Sequence, residues 1–238
     1  MDAEPSRRIA IAFARQAASS PSALWCLACI DVLAVSGAAI TLTGPDDSGP
    51  ICTSSPGVAA LEDLQFVSGE GPYRDAQRTG RRVDAPHLEA TSEWPSFAEL
   101  AQSHGFAAAF AYPLTVDGAT VGVMSVYQYA AGDLSTDQHD DCRALADVLA
   151  ATILSLQADA PAGELADALD DAIAYRAEVY QASGMLAVQL SIPPAEALLR
   201  IRAYAFAASR PLDSVATDIL AHRLRLPDDR RDRPGRKV

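Results

Sequence analysis

The stretch GFAAAFAYPLTVDGATVGVMSVYQYA, residues 105–130, decides the fold. Two apolar runs, Phe106–Thr115 and Thr120–Tyr129, flank Val116-Asp117-Gly118-Ala119. An Asp-Gly pair between such runs signals a hairpin, because a two-residue primed turn needs positive φ and these residues tolerate it. The spacing therefore predicts two long antiparallel strands. Gly105 stops a helix predicted over Trp94–His104. Downstream, Ser135-x-x-Gln138 is a capping box that opens a helix over 135–157. Its apolar stripe is Cys142, Leu145, Leu149, Ile153 and Leu156, at helical spacing.

Upstream, residues 5–19 and 21–36 read as helices, the second with Pro21 in its first turn and a break at Gly37. Ala38–Leu42 and Ile51–Thr53 read as strands joined by the turn-rich TGPDDSGP, residues 43–50. A short helix over 57–66, the turn GEGP at 69–72, a second short helix ended by Gly80 and a brief strand at Val83 complete the region. This order implies an α+β domain: an antiparallel sheet with flanking helices. Pro161 and Gly163 then interrupt the chain. Beyond them Glu164–Leu190, Pro194–Ala208 and Leu212–Leu224 read as three helices. We therefore divide the chain into a domain at 1–157, a linker at 158–163, a three-helix domain at 164–226 and a disordered tail at 227–238. The small core of the helical part points to docking or dimerisation through its long helix.

The net charge is −12. Residues 1–160 carry 20 acids and 8 bases, residues 161–226 carry 8 and 6, and residues 227–238 carry 3 and 5. Such a chain repels phosphate at long range, so a nucleic-acid role needs a local basic face in the last third. No apolar run approaches the roughly 20 residues that span a bilayer. The opening MDAEPSRRIA lacks the pattern of a secretory signal, which points to the cytoplasm. In that compartment Cys26, Cys29, Cys52 and Cys142 do not read as a disulfide framework. Cys26-x-x-Cys29 lies within an apolar helical stretch with no strand before it, which favours packing over redox or metal chemistry.

Residues 181–220, QASGMLAVQLSIPPAEALLRIRAYAFAASRPLDSVATDIL, resemble the ANTAR domain, a three-helix RNA-binding module. The matching positions are Ala182, Gly184, Met185 and Leu186, then Glu196 and Ala197, then Ile201, Arg202 and Ala205, then Arg210, Leu212, Val215 and Ala216. LEDLQFVSGEGPYRDAQRTGRRV, WPSFAELAQSHGFAAAFAYPL and DGATVGVMSVY resemble a GAF domain of the type that precedes ANTAR in actinobacterial proteins. The resemblance implies a sensor joined to an output that binds paired RNA hairpins in leader transcripts and prevents termination. Ser183 and Pro211 stand where that family commonly has lysine, and Tyr73 stands where GAF relatives often have cysteine.

The candidate RNA-binding residues are Arg176, Ser183, Gly184, Arg200, Arg202, Arg210, Arg223 and Arg225. Arginine suits RNA because its fork meets phosphate and its plane stacks on unpaired bases. This reading requires the arginines to share one side of the helices. Pairing with Glu178, Glu196, Asp213 and Asp218 is the competing reading. Ala182 and Gly184 are expected to let two helices approach closely. A ligand pocket between sheet and helices would draw on Cys52, Tyr73, Trp94, Phe97, Phe110, Tyr112, Met124 and Tyr127, unless these fill an ordinary core. No catalytic constellation, required cofactor or metal pattern is visible. The expected partners are structured RNA, a second copy of the chain and a small-molecule ligand. The alternatives are a dimeric ligand-sensing or protein-interaction regulator that has lost RNA binding, and a thiol redox enzyme using Cys26 and Cys29.

Overall fold

The computed structural model describes residues 25–43, 49–158, 167–208, 210 and 212–227, with the side chains of 167–177, 195, 206 and 213 outside the description. The helix expected at 5–19, residues 44–48 of the first turn, most of the linker and the tail beyond 227 lie outside the described residues. Contacts divide the chain into two units, Met1–Ile173 and Ala174–Val238.

The first unit is a five-stranded antiparallel sheet. Its strands are β1 (Gly37–Leu42), β2 (Pro50–Thr53), β3 (Val83–Ala85), β4 (Ala108–Val116) and β5 (Ala119–Gln128), in the order β2-β1-β5-β4-β3. β4 and β5 pair along their whole length and turn at Asp117 and Gly118, whose φ values are 49° and 82°. These are the positive dihedrals that the Asp-Gly pair announced. Helices α1 (Trp25–Leu33) and α5 (Thr136–Ala158) cover one face. The other face carries α2 (Pro56–Ser68), α3 (Pro72–Thr79) and α4 (Pro95–Ser103).

Local chemistry sets the helix ends. Ser55 caps α2 by accepting from the Val58 amide at 3.3 Å, and Gly69 closes it at φ 75°. At α5 the amide of Gln138 donates to Ser135 Oγ at 3.2 Å, and the amide of Ser135 donates to Gln138 Oε1 at 3.1 Å. The capping box forms as its spacing predicts. Of its stripe, Cys142, Leu145, Leu149 and Ile153 are buried and Leu156 is partly buried.

The second unit takes in α6 (Asp167–Leu190) from Ala174 onward, α7 (Pro194–Ala207) and α8 (Leu212–Leu220), which bury Ala182 and Leu186, Ala197 and Ile201, and Val215 and Ile219. Ala205 completes the inner face of α7. α8 is shorter than the expected 212–224. His222 turns to φ 57°, and the amides of Arg223 and Leu224 fold back onto the Asp218 carbonyl.

One cysteine expectation fails. Cys26 and Cys52 are bonded, with Cα atoms 5.8 Å apart, while Cys29 and Cys142 are buried thiols. The β1–β2 hairpin brings Cys52 under α1, a pairing over 26 residues that sequence spacing does not reveal.

Candidate functional site

The eight residues expected to line one pocket fall on opposite faces of the sheet. Paired strand residues share a face. Ile40, Met124 and Tyr112 are in register, so Cys52, Phe110, Tyr112 and Met124 lie on the α1/α5 side. Trp94, Phe97 and Tyr127 belong to the cluster under α2 and α4, and Tyr73, on α3, packs with Ala111 and Val123 of the same face. A single pocket built from all eight is therefore excluded. Period-two alternation sends neighbouring strand positions to opposite sides, and composition alone gives no register.

The α2 face holds a buried polar network that the sequence reading missed. Glu62 and Gln65, one turn apart on α2, are both 0% exposed. Tyr127 donates to Glu62 Oε1 at 2.6 Å, and Thr41 donates to Glu62 Oε2 at 2.9 Å. Gln65 Nε2 donates to the Tyr127 hydroxyl at 3.3 Å, and Gln65 Oε1 accepts from the Tyr73 amide at 2.8 Å. Burial, and then the Glu62 charge, push the Tyr127 phenol well above its usual range. Gly71 makes room for this network: a Cβ there would lie 2.4 Å from Gln65, and its φ of 137° disfavours other residues. The available sequence signal was polar Glu62 and Gln65 between apolar positions of a short helix.

On the opposite face, Tyr112 bonds His139 Nδ1 at 2.7 Å, and His139 Nε2 meets Asp133 at 3.0 Å. Beside them a cleft of about 390 Å³ is lined by Arg82, Tyr112, Pro113, Arg143, Ala146 and Asp147. Of the eight expected pocket residues, it includes only Tyr112.

In the second unit, among the described residues, the candidate arginines Arg200, Arg210 and Arg223 carry ion pairs. Arg200 meets Glu196 at 3.2 Å. Arg210 and Arg223 both meet Asp218, at 2.5 and 2.8 Å. Hydrogen bonds from Arg210, then from Arg223, hold the Asp218 carboxyl below its usual range. Arg202 is half-buried, Arg225 is exposed, and the Arg176 side chain lies outside the description. Ser183 is buried and donates to the Pro194 carbonyl at 2.8 Å, so it ties α6 to α7 instead of facing solvent. Gly184 is exposed, and a Cβ there would meet nothing within 4 Å. Close helix packing explains Ala182 and does not explain Gly184.

Charge follows the same division. Residues 1–173 hold 24 acids and 8 bases, net −16; residues 174–238 hold 7 acids and 11 bases, net +4. Among the described residues no helix is long and apolar enough to cross a membrane, and no cluster of three His, Cys, Asp or Glu side chains is placed to hold a metal ion.

Comparison with known proteins gives two family matches. The GAF domain matches residues 26–154, and the ANTAR domain matches residues 167–220. Among solved structures, the chain is similar to the GAF domain from a phosphoenolpyruvate-protein phosphotransferase of Coxiella burnetii, at 14% identity and TM-score 0.50, covering 66% of this chain and 98% of that one. It is similar to the GAF domain region of a membrane protein from Geobacter sulfurreducens, at 16% identity and TM-score 0.47, covering 63% of this chain and 96% of that one. No curated protein matches the chain.

Proposed function

Since the chain belongs to the GAF family through residues 26–154 and carries an ANTAR domain at 167–220, both of them regulatory domains, we propose that it is a signal-responsive transcription antiterminator. In this reading the helical unit binds structured RNA, hairpins of leader transcripts, and the sheet unit controls that binding. The observation that carries it is the ANTAR match over residues 167–220; the excess of bases in the second unit lies just beyond that match, in residues 221–238, with 7 bases and 3 acids. Residues 1–157 are then the sensory domain, 158–163 the linker and 164–226 the RNA-binding domain. Exposed Leu27 and Leu154, on α1 and α5, support a homodimer, and transcript binding places the protein in the cytoplasm.

A salt titration of the full chain with a two-hairpin RNA tests the reading. The expected result is affinity that falls with salt and exceeds that for a scrambled single strand. The ion pairs of Arg200, Arg210 and Arg223, together with Val188 and Leu199 at 81% and 62% exposure, favour the second reading, a protein-interaction regulator. Equal, weak binding to both RNAs selects that reading and rejects the first.

A further inference from the structure

All four cysteines of the chain sit in one apolar cluster although they span residues 26 to 142. They are not equivalent. Cys26, Cys29 and Cys142 are 0% exposed, while Cys52, on the short edge strand β2, is 6% exposed. Burial pushes the thiols of Cys29 and Cys142 up to about 12. The thiolate is the species that exchanges, so these two stay out of thiol–disulfide chemistry. The bonded pair joins α1, a nine-residue helix, to a strand hydrogen-bonded on one side. α1 also packs against α5, the last described element of the sheet unit before the ANTAR match.

We propose that Cys26 and Cys52 form a reversible dithiol–disulfide site, so that the signal reaching the sheet unit is the thiol redox state of its surroundings; this rests on the sensory reading above. The thiolate of a small thiol attacks Cys52 Sγ, the more accessible sulfur. The S–S bond breaks, and Cys26 leaves as a thiolate and takes a proton from solvent. A second small thiolate attacks the small-molecule sulfur of the mixed disulfide, and Cys52 leaves and is protonated. Two small thiols become one disulfide, and the protein gains two electrons and two protons. A small disulfide runs the sequence backwards. Reduction removes the covalent tie and leaves α1 held by packing alone.

The experiment equilibrates the full chain in reduced and oxidised glutathione at stepped ratios, quenches with acid, alkylates and maps the labelled cysteines by mass spectrometry. Amide hydrogen exchange is recorded at both extremes. The expected result is Cys26 and Cys52 titrating together from either direction, with the labelling of Cys29 and Cys142 the same at every ratio. Exchange in α1 and α5 should rise at least tenfold on reduction. Cys52→Ser should show the reduced exchange pattern at every ratio, and Cys142→Ser should titrate like the unaltered chain. A bond that persists in the most reducing buffer until the protein unfolds overturns the proposal. So does labelling of Cys29 or Cys142 that changes with the ratio, or exchange that is unchanged by reduction. None of these readouts uses RNA, so absence of RNA binding in both redox states counts against the proposed function alone.

Discussion

Tyr127→Phe probes the buried polar network with almost no change in packing volume. The substitution deletes a hydroxyl that donates to Glu62 at 2.6 Å and accepts from Gln65 at 3.3 Å. Glu62 meets a hydroxyl on each oxygen, so the tyrosine and the threonine together satisfy a fully buried carboxyl. Leaving a buried polar group without its partner costs about 1–3 kcal/mol, and burial at 0% exposure prevents water from replacing it. Stranding the Gln65 amide adds about 1 kcal/mol more, so the expected loss is roughly 2–4 kcal/mol. Glu62→Gln keeps the shape and puts an amide in place of the carboxyl, and the Thr41 hydroxyl can rotate to accept. Its cost should be smaller, and the double variant should cost less than the sum. Urea unfolding followed by tryptophan fluorescence measures all three, at constant m. A Tyr127→Phe loss under about 0.5 kcal/mol, or strict additivity with Glu62→Gln, would refute the claim that this carboxylate depends on the tyrosine.

Asp218→Asn should release Arg210 and Arg223 and steepen the salt dependence of RNA binding by roughly one phosphate contact, read as the slope of log affinity against log salt. An unchanged slope would exclude these two arginines from the interface. Cys52→Ser should lower stability by about 3.5 kcal/mol in oxidising buffer, from closure of a loop with 26-residue separation, and by far less in excess reductant. The pH dependence follows from thiols that are raised when folded: their contribution is complete below the unfolded value of 9.0 and is lost as pH rises toward about 12. Each should cost about 1.4 kcal/mol per pH unit in that window, and Cys29→Ala should flatten the decline in urea midpoint.

What the sequence made legible is what local chemistry decides. The Asp117-Gly118 turn, the Ser135/Gln138 box and the stripe from Cys142 to Ile153 depend on residues within a few positions of each other, and all three form. The sites were less legible because they depend on register and on pairings far along the chain. Met124 and Tyr127 look alike as apolar positions of one strand, yet three residues on a two-residue period put them on opposite faces. The Glu62–Tyr127 bond spans 65 residues, and the Ser183–Pro194 bond depends on how α6 meets α7. Ser183 stands where lysine is common in ANTAR domains, and its burial shows that identity at this position says little about surface charge.

The ion pairs of the helical unit bear directly on its proposed activity, and magnitudes decide how. Exposed pairs contribute about 0–1 kcal/mol, so an arginine that exchanges its carboxylate for a phosphate gives up little. The pairs differ in what they leave behind. Arg200 and Glu196 cancel, and the contact of Arg200 with the Pro227 carbonyl turns it further from solvent. Asp218 is one carboxylate between two guanidinium groups, so the Arg210–Asp218–Arg223 cluster keeps a net positive charge while fixing both side chains in place. Less side-chain freedom then remains to be lost on binding. Arg225, exposed and two residues on, extends the same end of the unit. This favours the end of α8 over α7 as the proposed RNA contact, and it replaces six arginines sharing one side with a footprint of about three. A footprint that small implies a shallow salt slope for one copy, roughly 0.7–0.9 per phosphate engaged. Two copies on two hairpins would double it, which makes dimerisation part of the affinity itself.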